Sequence, residues 1–180
     1  DIDQMKQWTD YLLEEQAGGS PARPESSGSA AINAADHWIR GGMKSVFLQD
    51  ANSLVIKPDM MIEILLYLRE RFPAIERITT YSRSQTAAAI SDEKLAAVAA
   101  AGLNRIHIGL ESGSNKVLEL VQKGADKQTH IKGGCKIKKA GMELSEYYIP
   151  GLGGRKYSRE NALETADALN QINPDFIRIR

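Results

Sequence analysis

The sequence has only one cysteine and no excess of either charge, and it contains no apolar run long enough to cross a bilayer. A single cysteine, Cys135, excludes an internal disulfide and a metal centre held by several thiolates of this chain. Lys and Arg together number 23, as do Asp and Glu, so the global charge points to neither nucleic acid nor anionic lipid. Without a signal-peptide pattern either, the sequence predicts a cytoplasmic protein without membrane contact.

What remains is the composition of one globular domain. The 180 residues are 42% hydrophobic and 26% charged, enough to bury a sizeable core. Residues 1–44 predict two helices, over 1–16 and 31–40, joined by a Gly-, Ser- and Pro-rich loop over 17–30 that we expect to be flexible. Because the chain begins without Met and ends within an alternating strand, we expect a fragment of a longer protein.

Residues 45–180 repeat the pattern of a strand followed by a helix. Such alternation predicts right-handed βαβ units and a parallel sheet. Ser91, Ser114 and Ser158 are predicted as N-caps of three of the helices. The predicted strands cover 45–49, 76–82, 105–111, 143–149 and 175–180, and the predicted helices 58–72, 91–102, 114–124, 127–140 and 158–173.

The strands have one apolar and one polar face. In the strand over 105–111, isoleucines alternate with His107 and Glu111, and Arg178 and Arg180 lie on the corresponding face of the last strand. A sheet covered by helices on both faces would have continuous apolar strands. The pattern therefore predicts an α/β fold, a partial (β/α) TIM-type barrel with parallel strands and a polar lumen. An edge sheet that simply faces water is the alternative, and the two arginines either clamp a substrate carboxylate or keep an open sheet edge soluble.

Four strand ends carry the residues that point to a ligand. In parallel βα folds, ligands bind at the carboxyl ends of the strands. These ends read QDANS over 49–53, YSR over 81–83, GLESGS over 109–114 and IPGLGG over 149–154. Glu111 can bind a ribose diol, and the glycines of the last segment let the backbone approach a flat ring or a phosphate.

The segments RITTYSR over 77–83, AGLNRIHIGLESGS over 101–114 and YYIPGLGG over 147–154 resemble the radical S-adenosylmethionine (SAM) enzymes, and the resemblance covers residues 45–180. It implies a six-stranded partial barrel that binds SAM at the strand ends. It also implies a 4Fe-4S cluster beside SAM, which reduces SAM to methionine and a 5′-deoxyadenosyl radical. By position, the implied cofactor-binding residues are Gln49, Asp50, Tyr81, Arg83, Glu111, Ser112, Lys123, Ile149 and Gly151.

The resemblance also implies a role for most of these residues. Gln49 and Asp50 match the strand end that meets the methionine amino group. Glu111 and Ser112 match the motif that contacts the ribose or the methionyl part, and Lys123 matches a basic residue that pairs with the SAM carboxylate. Ile149 and Gly151 match the segment that packs on adenine, although Gly154 stands where the family often has Glu.

The cluster motif of the family is absent. Its three cysteines form a C-x-x-x-C-x-x-C loop, whereas Cys135 lies alone in a predicted helix, where we expect a packed small residue. We therefore expect the cluster ligands in the longer protein, upstream of residue 1, and no redox activity in this piece.

Two other functions and one assembly stay open at this point. The chain could be a non-radical (β/α)-barrel lyase or aldolase that uses Glu111, His107 and Lys123 as acids and bases. It could instead be a nucleotide-binding or scaffold module without catalysis. The open edges of a parallel sheet also predict a homodimer, and the substrate is a small molecule whose identity the sequence does not reveal.

Overall fold

A computed structural model describes residues 2–25 and 29–180. Within them lie five strands and eight α-helices. The strands are β1 (Ser45–Leu48), β2 (Arg77–Ser82), β3 (Arg105–Glu111), β4 (Glu143–Tyr148) and β5 (Phe176–Ile179). The helices are α1 (Ile2–Gln16), α2 (Ser29–Arg40), α3 (Pro58–Arg71), α4 (Ser84–Ala89), α5 (Asp92–Ala100), α6 (Asn115–Leu120), α7 (Lys127–Lys139) and α8 (Gly154–Ile172).

The five strands form one sheet in the order β1-β2-β3-β4-β5, and every neighbouring pair is parallel. Each connection therefore moves one strand further in the same direction. Because such connections are right-handed, their helices gather on one face of the sheet and leave the other face open. This arrangement confirms the predicted partial (β/α) barrel and excludes a sheet covered on both faces.

The core lies between the sheet and the helices. Ile78, Ile106 and Leu144 project from three neighbouring strands and have no exposed surface. They belong to one cluster with Leu65 of α3 and Ile137 of α7. Alternate strand residues thus bury the predicted apolar face, and the intervening residues line the open, concave face.

The helix N-caps explain several predicted boundaries. Ser91 Oγ accepts a hydrogen bond from the Lys94 amide at 3.3 Å, and Ser114 Oγ accepts one from Val117 at 3.4 Å. Ser158 is not an N-cap, because α8 begins at Gly154 and encloses it. The helix α4 was not predicted, since a six-residue segment is too short for a helical period to emerge.

Two glycines inside α7 permit close helix packing. A Cβ on Gly133 would lie 2.6 Å from the Ser84 carbonyl oxygen, and one on Gly134 would lie 2.7 Å from Ile172 Cγ2. Both distances are shorter than van der Waals contact. The glycines therefore let α7 approach α4 and α8, which offsets their cost in a helix interior, about 1 kcal/mol each.

Some expectations differ from the structure. Cys135 lies on α7 as predicted, but it is exposed rather than packed. Ile177 and Ile179 of β5 are 54% and 71% exposed, because no described helix covers the outer face of this edge strand. Of the loop predicted over 17–30, residues 17–25 form neither helix nor strand, and residues 26–28 lie outside the described residues.

None of the described helices is both long enough and apolar enough to cross a membrane.

Candidate functional site

A cavity of about 810 Å³ opens on the concave face at the carboxyl ends of the strands. Six of the nine predicted site residues line it: Gln49, Asp50, Tyr81, Arg83, Glu111 and Lys123. The other lining residues are Ala51, Ser82, Ser84, Gln85, His107, Gly109, Val121, Gln122, Tyr147 and Arg180. The strand ends therefore bring together residues far apart in the sequence, as a parallel βα fold requires.

An ion pair between Glu111 and Lys123 is the main charged feature of the cavity. The Lys123 Nζ lies 3.3 Å from Glu111 Oε1, and the two side chains are 28% and 23% exposed. Glu111 has a left-handed backbone (φ 61°) next to a break in the β3–β4 register. A Cβ on Gly109 would lie only 2.2 Å from Glu111 Oε1. The glycine thus leaves the space in which the carboxylate lies.

Ser112 follows Glu111 but lies behind the sheet and not in the cavity. It is fully buried, and its hydroxyl donates a 2.6 Å hydrogen bond to Asn161 Oδ1. Asn161 Nδ2 in turn donates to the carbonyl oxygens of Ile149 and Pro150 at 3.1 and 3.0 Å. Asn161 therefore ties the end of β3 to the end of β4. Ile149 and Gly151 do not line the cavity either, and their contact with a cofactor stays a prediction.

Sequence reasoning missed Asn161, although a signal for it exists. Asn161, Thr165, Ala168 and Ile172 recur on the buried face of α8 with helical spacing. Two polar residues on such a face indicate buried hydrogen bonds. Thr165 supplies one of them, since its hydroxyl accepts the Gly113 amide at 2.8 Å.

Asn52 joins the ends of β1 and β2, as Asn161 joins the ends of β3 and β4. Its Oδ1 accepts the Arg83 amide at 2.9 Å, and its Nδ2 donates to the Thr86 hydroxyl at 3.0 Å. These bonds hold the segment after β1, which carries Gln49 and Asp50, against the segment after β2. Asn52 lies inside the QDANS motif, but its role as a tether was not predicted.

Four rings from neighbouring strands contact one another on the concave face, and we call them the ring floor: Phe47, Tyr81, His107 and Tyr147. All of them except Phe47 line the cavity. His107 is 5% exposed and stacks on Phe47, with ring centroids 5.9 Å apart and planes 11° apart. It also lies 5.5 Å from the Tyr81 ring and 5.9 Å from the Tyr147 ring. A hydrogen bond with Tyr147, together with burial, raises the pKa of Tyr81.

His107 is neutral at physiological pH. Burial, with a smaller contribution from Arg178 and Arg105, lowers its pKa to about 4. A general acid or base works best with a pKa near the working pH, so this shift does not favour the acid–base role considered above. Its Nδ1 is buried and has no hydrogen-bond partner among the described residues.

Two further titratable residues are buried on the helix side of the sheet. Neither carboxylate oxygen of Glu146 has a hydrogen-bond partner among the described residues, and burial raises its pKa well above the usual value. His130 bonds through Nδ1 to the Ser84 hydroxyl, and burial lowers its pKa to about 4. We call Ser112, His130, Glu146 and Asn161 the buried polar set.

The family model described as "Radical SAM superfamily" matches residues 21–172, most of the chain. The chain belongs to the radical SAM superfamily. No significant match to a curated protein was found.

Solved structures of radical SAM enzymes share the fold. The chain superposes on coproporphyrinogen III oxidase (HemN) from Escherichia coli with a TM-score of 0.63 and 16% identity, over 99% of this chain and 36% of that one. It is similar to the radical SAM methyltransferase TsrM from Kitasatospora setae with a TM-score of 0.58 and 13% identity, over 83% and 29% of the two chains. For methylornithine synthase (PylB), the values are 0.54 and 14%, over 69% and 34%. The chain thus spans about a third of the length of these neighbours.

The two cofactors of the superfamily fit this chain differently. The half-buried Glu111–Lys123 pair offers a carboxylate and an ammonium side by side, which complements the ammonium and carboxylate of the SAM methionyl group. A 4Fe-4S cluster does not fit, because clusters of this type need several cysteine thiolates. The sequence has one cysteine, and no metal-binding cluster of His, Cys, Asp or Glu occurs in residues 2–25 and 29–180.

Proposed function

We propose that this chain is the SAM-facing wall of a radical SAM enzyme. The observation that carries the proposal is the Glu111–Lys123 pair at the strand ends of a radical SAM domain. With one cysteine in the sequence, the ligands of a 4Fe-4S cluster would come from outside this chain. Reductive cleavage of SAM to a 5′-deoxyadenosyl radical belongs to the proposed activity of the whole protein, and this piece alone would not catalyse it.

In this proposal, Lys123 and Glu111 bind the methionyl end of SAM. The Lys123 ammonium pairs with the SAM carboxylate, and the Glu111 carboxylate accepts hydrogen bonds from the SAM ammonium or from ribose hydroxyls. The existing pair at 3.3 Å holds both groups at the cavity before a ligand arrives. Binding then exchanges one ion pair for two, so neither charge is left without a partner.

Gln49, Asp50, Tyr81 and Arg83 extend this wall along the neighbouring strand ends. Asn52 positions two of these segments relative to each other through the Arg83 amide and Thr86. Asn161 does so for the ends of β3 and β4. The two asparagines are positioning residues, because they act through the backbone segments that they join.

Calorimetry of this chain with SAM, and separately with adenosine, tests the proposal. We expect SAM to bind at least tenfold more tightly than adenosine, since only SAM carries the methionyl charges. Lys123→Ala is expected to remove this preference. Lys116→Ala is the matched control, because Lys116 lies on α6, just before Lys123 in the chain, but pairs with Glu160 outside the cavity.

Two results would contradict the proposal. One is equal affinity for SAM and adenosine in the unmodified chain, which would support a nucleotide-binding module instead. The other is an equal loss of SAM affinity in the Lys123 and Lys116 variants, which would show that general positive charge, and not the pair with Glu111, binds the ligand.

A further inference from the structure

We propose that the cavity also binds a small planar carboxylic acid, which lies on the ring floor with its carboxylate towards Arg178 and Arg180. This inference names a substrate class and rests on the proposed function, which assigns the Glu111–Lys123 end of the cavity to SAM. A second anionic ligand then needs cations of its own. The β5 edge of the concave face supplies them.

Arg178 and Arg180 lie on the same side of β5 and approach the same ring. The guanidinium carbon of Arg180 lies 4.0 Å from the Tyr147 ring centroid, and that of Arg178 lies 5.9 Å from it. Arg178 Nε also donates to the Ser145 hydroxyl at 3.1 Å. These contacts place both guanidinium groups at the Tyr147 end of the ring floor. The planar fork of a guanidinium matches a carboxylate.

Neither arginine pairs with a carboxylate in the part of the chain that the structure describes. Arg105, on the same concave face, differs in this respect, because Glu143 lies 2.6 Å from its Nη2. The start of β3 therefore carries a neutralised arginine, whereas β5 and the residue after it carry two unneutralised ones. A ligand carboxylate would supply the missing negative charge.

The ring floor favours a flat body for this ligand. Its rings contact one another, with centroids from 4.9 to 6.4 Å apart. Stacked or edge-to-face contacts with aromatic rings contribute about 0.5–1.5 kcal/mol beyond the area buried. His107 lies at the centre of this surface, because its ring contacts each of the other three.

Solubility of an exposed strand is the simpler explanation of the two arginines. Solubility requires charged side chains at this edge, but it does not require them to lie at particular positions. The two explanations therefore differ in whether the arginines recognise a carboxylate together with the ring floor.

The test titrates this chain with 1-naphthoate and, as the uncharged analogue, with 1-naphthamide, by calorimetry or by fluorescence. We expect the Arg178→Gln/Arg180→Gln variant to weaken naphthoate binding at least tenfold and to change SAM binding less than twofold. Lys123→Ala should do the reverse. The control is Arg159→Gln/Lys132→Gln, which removes two exposed charges from α8 and α7, outside the cavity.

Several outcomes would overturn the inference. These are equal affinity for naphthoate and naphthamide, no loss in the double arginine variant, or an equal loss in the control variant. If phenyl phosphate binds tenfold more tightly than naphthoate, the site recognises a phosphate and not a carboxylate, and the inference is wrong. If naphthoate binds as expected but SAM does not bind, the proposed function fails while the acid site stands. Circular dichroism of each variant shows whether it remains folded. The single variant Arg180→Lys, with Arg178 intact, should bind naphthoate more tightly than the double arginine variant, which separates loss of recognition from loss of fold.

Discussion

Glu111 and Ser112 are neighbours in the chain, yet they belong to two regions of opposite character. Glu111 lies in the cavity, where its described side-chain partner is Lys123. Ser112 belongs to the buried polar set and is tied to Asn161, which in turn ties the end of β4. In the buried set, Ser112 and Asn161 use their polar groups to join protein segments. In the cavity, the Glu111–Lys123 pair lies at the open space, where a ligand can reach it.

The comparison predicts that the buried set determines stability and the cavity determines binding. Asn161→Ala should have the largest effect on stability. It leaves the Ser112 hydroxyl and the carbonyl oxygens of Ile149 and Pro150 without their partner, at a cost of about 2–4 kcal/mol in the free energy of unfolding. Urea denaturation measures this. Asn170→Ala, at an exposed position of the same helix, should cost less than about 0.5 kcal/mol. Equal costs would contradict the comparison.

Glu146→Gln tests how the buried carboxyl group of Glu146 makes the stability depend on pH. Its pKa is higher in the folded than in the unfolded chain, so unfolding releases a proton once the pH exceeds the unfolded value of about 4.3. The unmodified chain therefore loses stability as the pH rises above this value, whereas the variant lacks this loss. The charge of Lys123 and a backbone contact with Leu110 lower the pKa of Glu146, whereas the charge of Glu111 raises it further.

We expect the stability of Glu146→Gln relative to the unmodified chain to increase from pH 4 to pH 8, because only the carboxyl has a pKa that folding raises. Urea denaturation at a series of pH values measures the difference. Glu119→Gln, at an exposed position of α6, is the control and should give a difference that does not change with pH. A constant difference for Glu146→Gln would show that the carboxyl is not buried without a partner.

Gly109→Ala should affect binding more than stability. The added Cβ would collide with the Glu111 carboxylate and approach Lys123 Nζ to 3.1 Å, and both atoms are the ends of flexible side chains that can move aside. We expect SAM affinity to fall several-fold, while the free energy of unfolding changes by less than about 1 kcal/mol. Gly41→Ala is the control, since its Cβ would make contacts of 3.4 Å with backbone oxygens far from the cavity. Unchanged SAM affinity in Gly109→Ala would separate the pair from the SAM site.

Lys123→Ala should have the smallest effect on stability. A partly exposed ion pair contributes about 0–1 kcal/mol. Lys127→Ala provides the comparison, because Lys127 is only 13% exposed and lies 2.6 Å from Glu164 and 2.5 Å from Asp167. Thermal unfolding of both variants should show the larger loss for Lys127. The opposite order would mean that the Glu111–Lys123 pair supports the fold.

The sequence predicted the fold well, because period-two strands and capped helices leave local patterns. The five strands and their polar faces follow from alternation, as His107 and Glu111 illustrate. The family was predicted from segments at three strand ends and is confirmed by the match over residues 21–172. Short elements such as α4, and the start of α8 at Gly154, lack such a pattern and were missed.

Within the site, the sequence could identify candidates but not their side of the sheet. Glu111 and Ser112 were predicted to act together, but the register break at Gly109 and the left-handed backbone of Glu111 send them in different directions. Glu146 was missed because a glutamate in a strand is expected to face water, whereas here it lies under the helices with no exposed surface. Such placements depend on three-dimensional packing, which no local pattern encodes.

The break at Gly109 has a consequence for how this protein could diversify. In a regular strand, inserting or deleting one residue exchanges the two faces of everything that follows. Here the exchange is confined to a single turn between the last ladder pairs, Gly109 with Tyr147 and Glu111 with Tyr148. A change of Glu111, whose side chain faces the cavity, can therefore alter what the barrel mouth offers to ligands and leave the hydrophobic interior beneath it untouched.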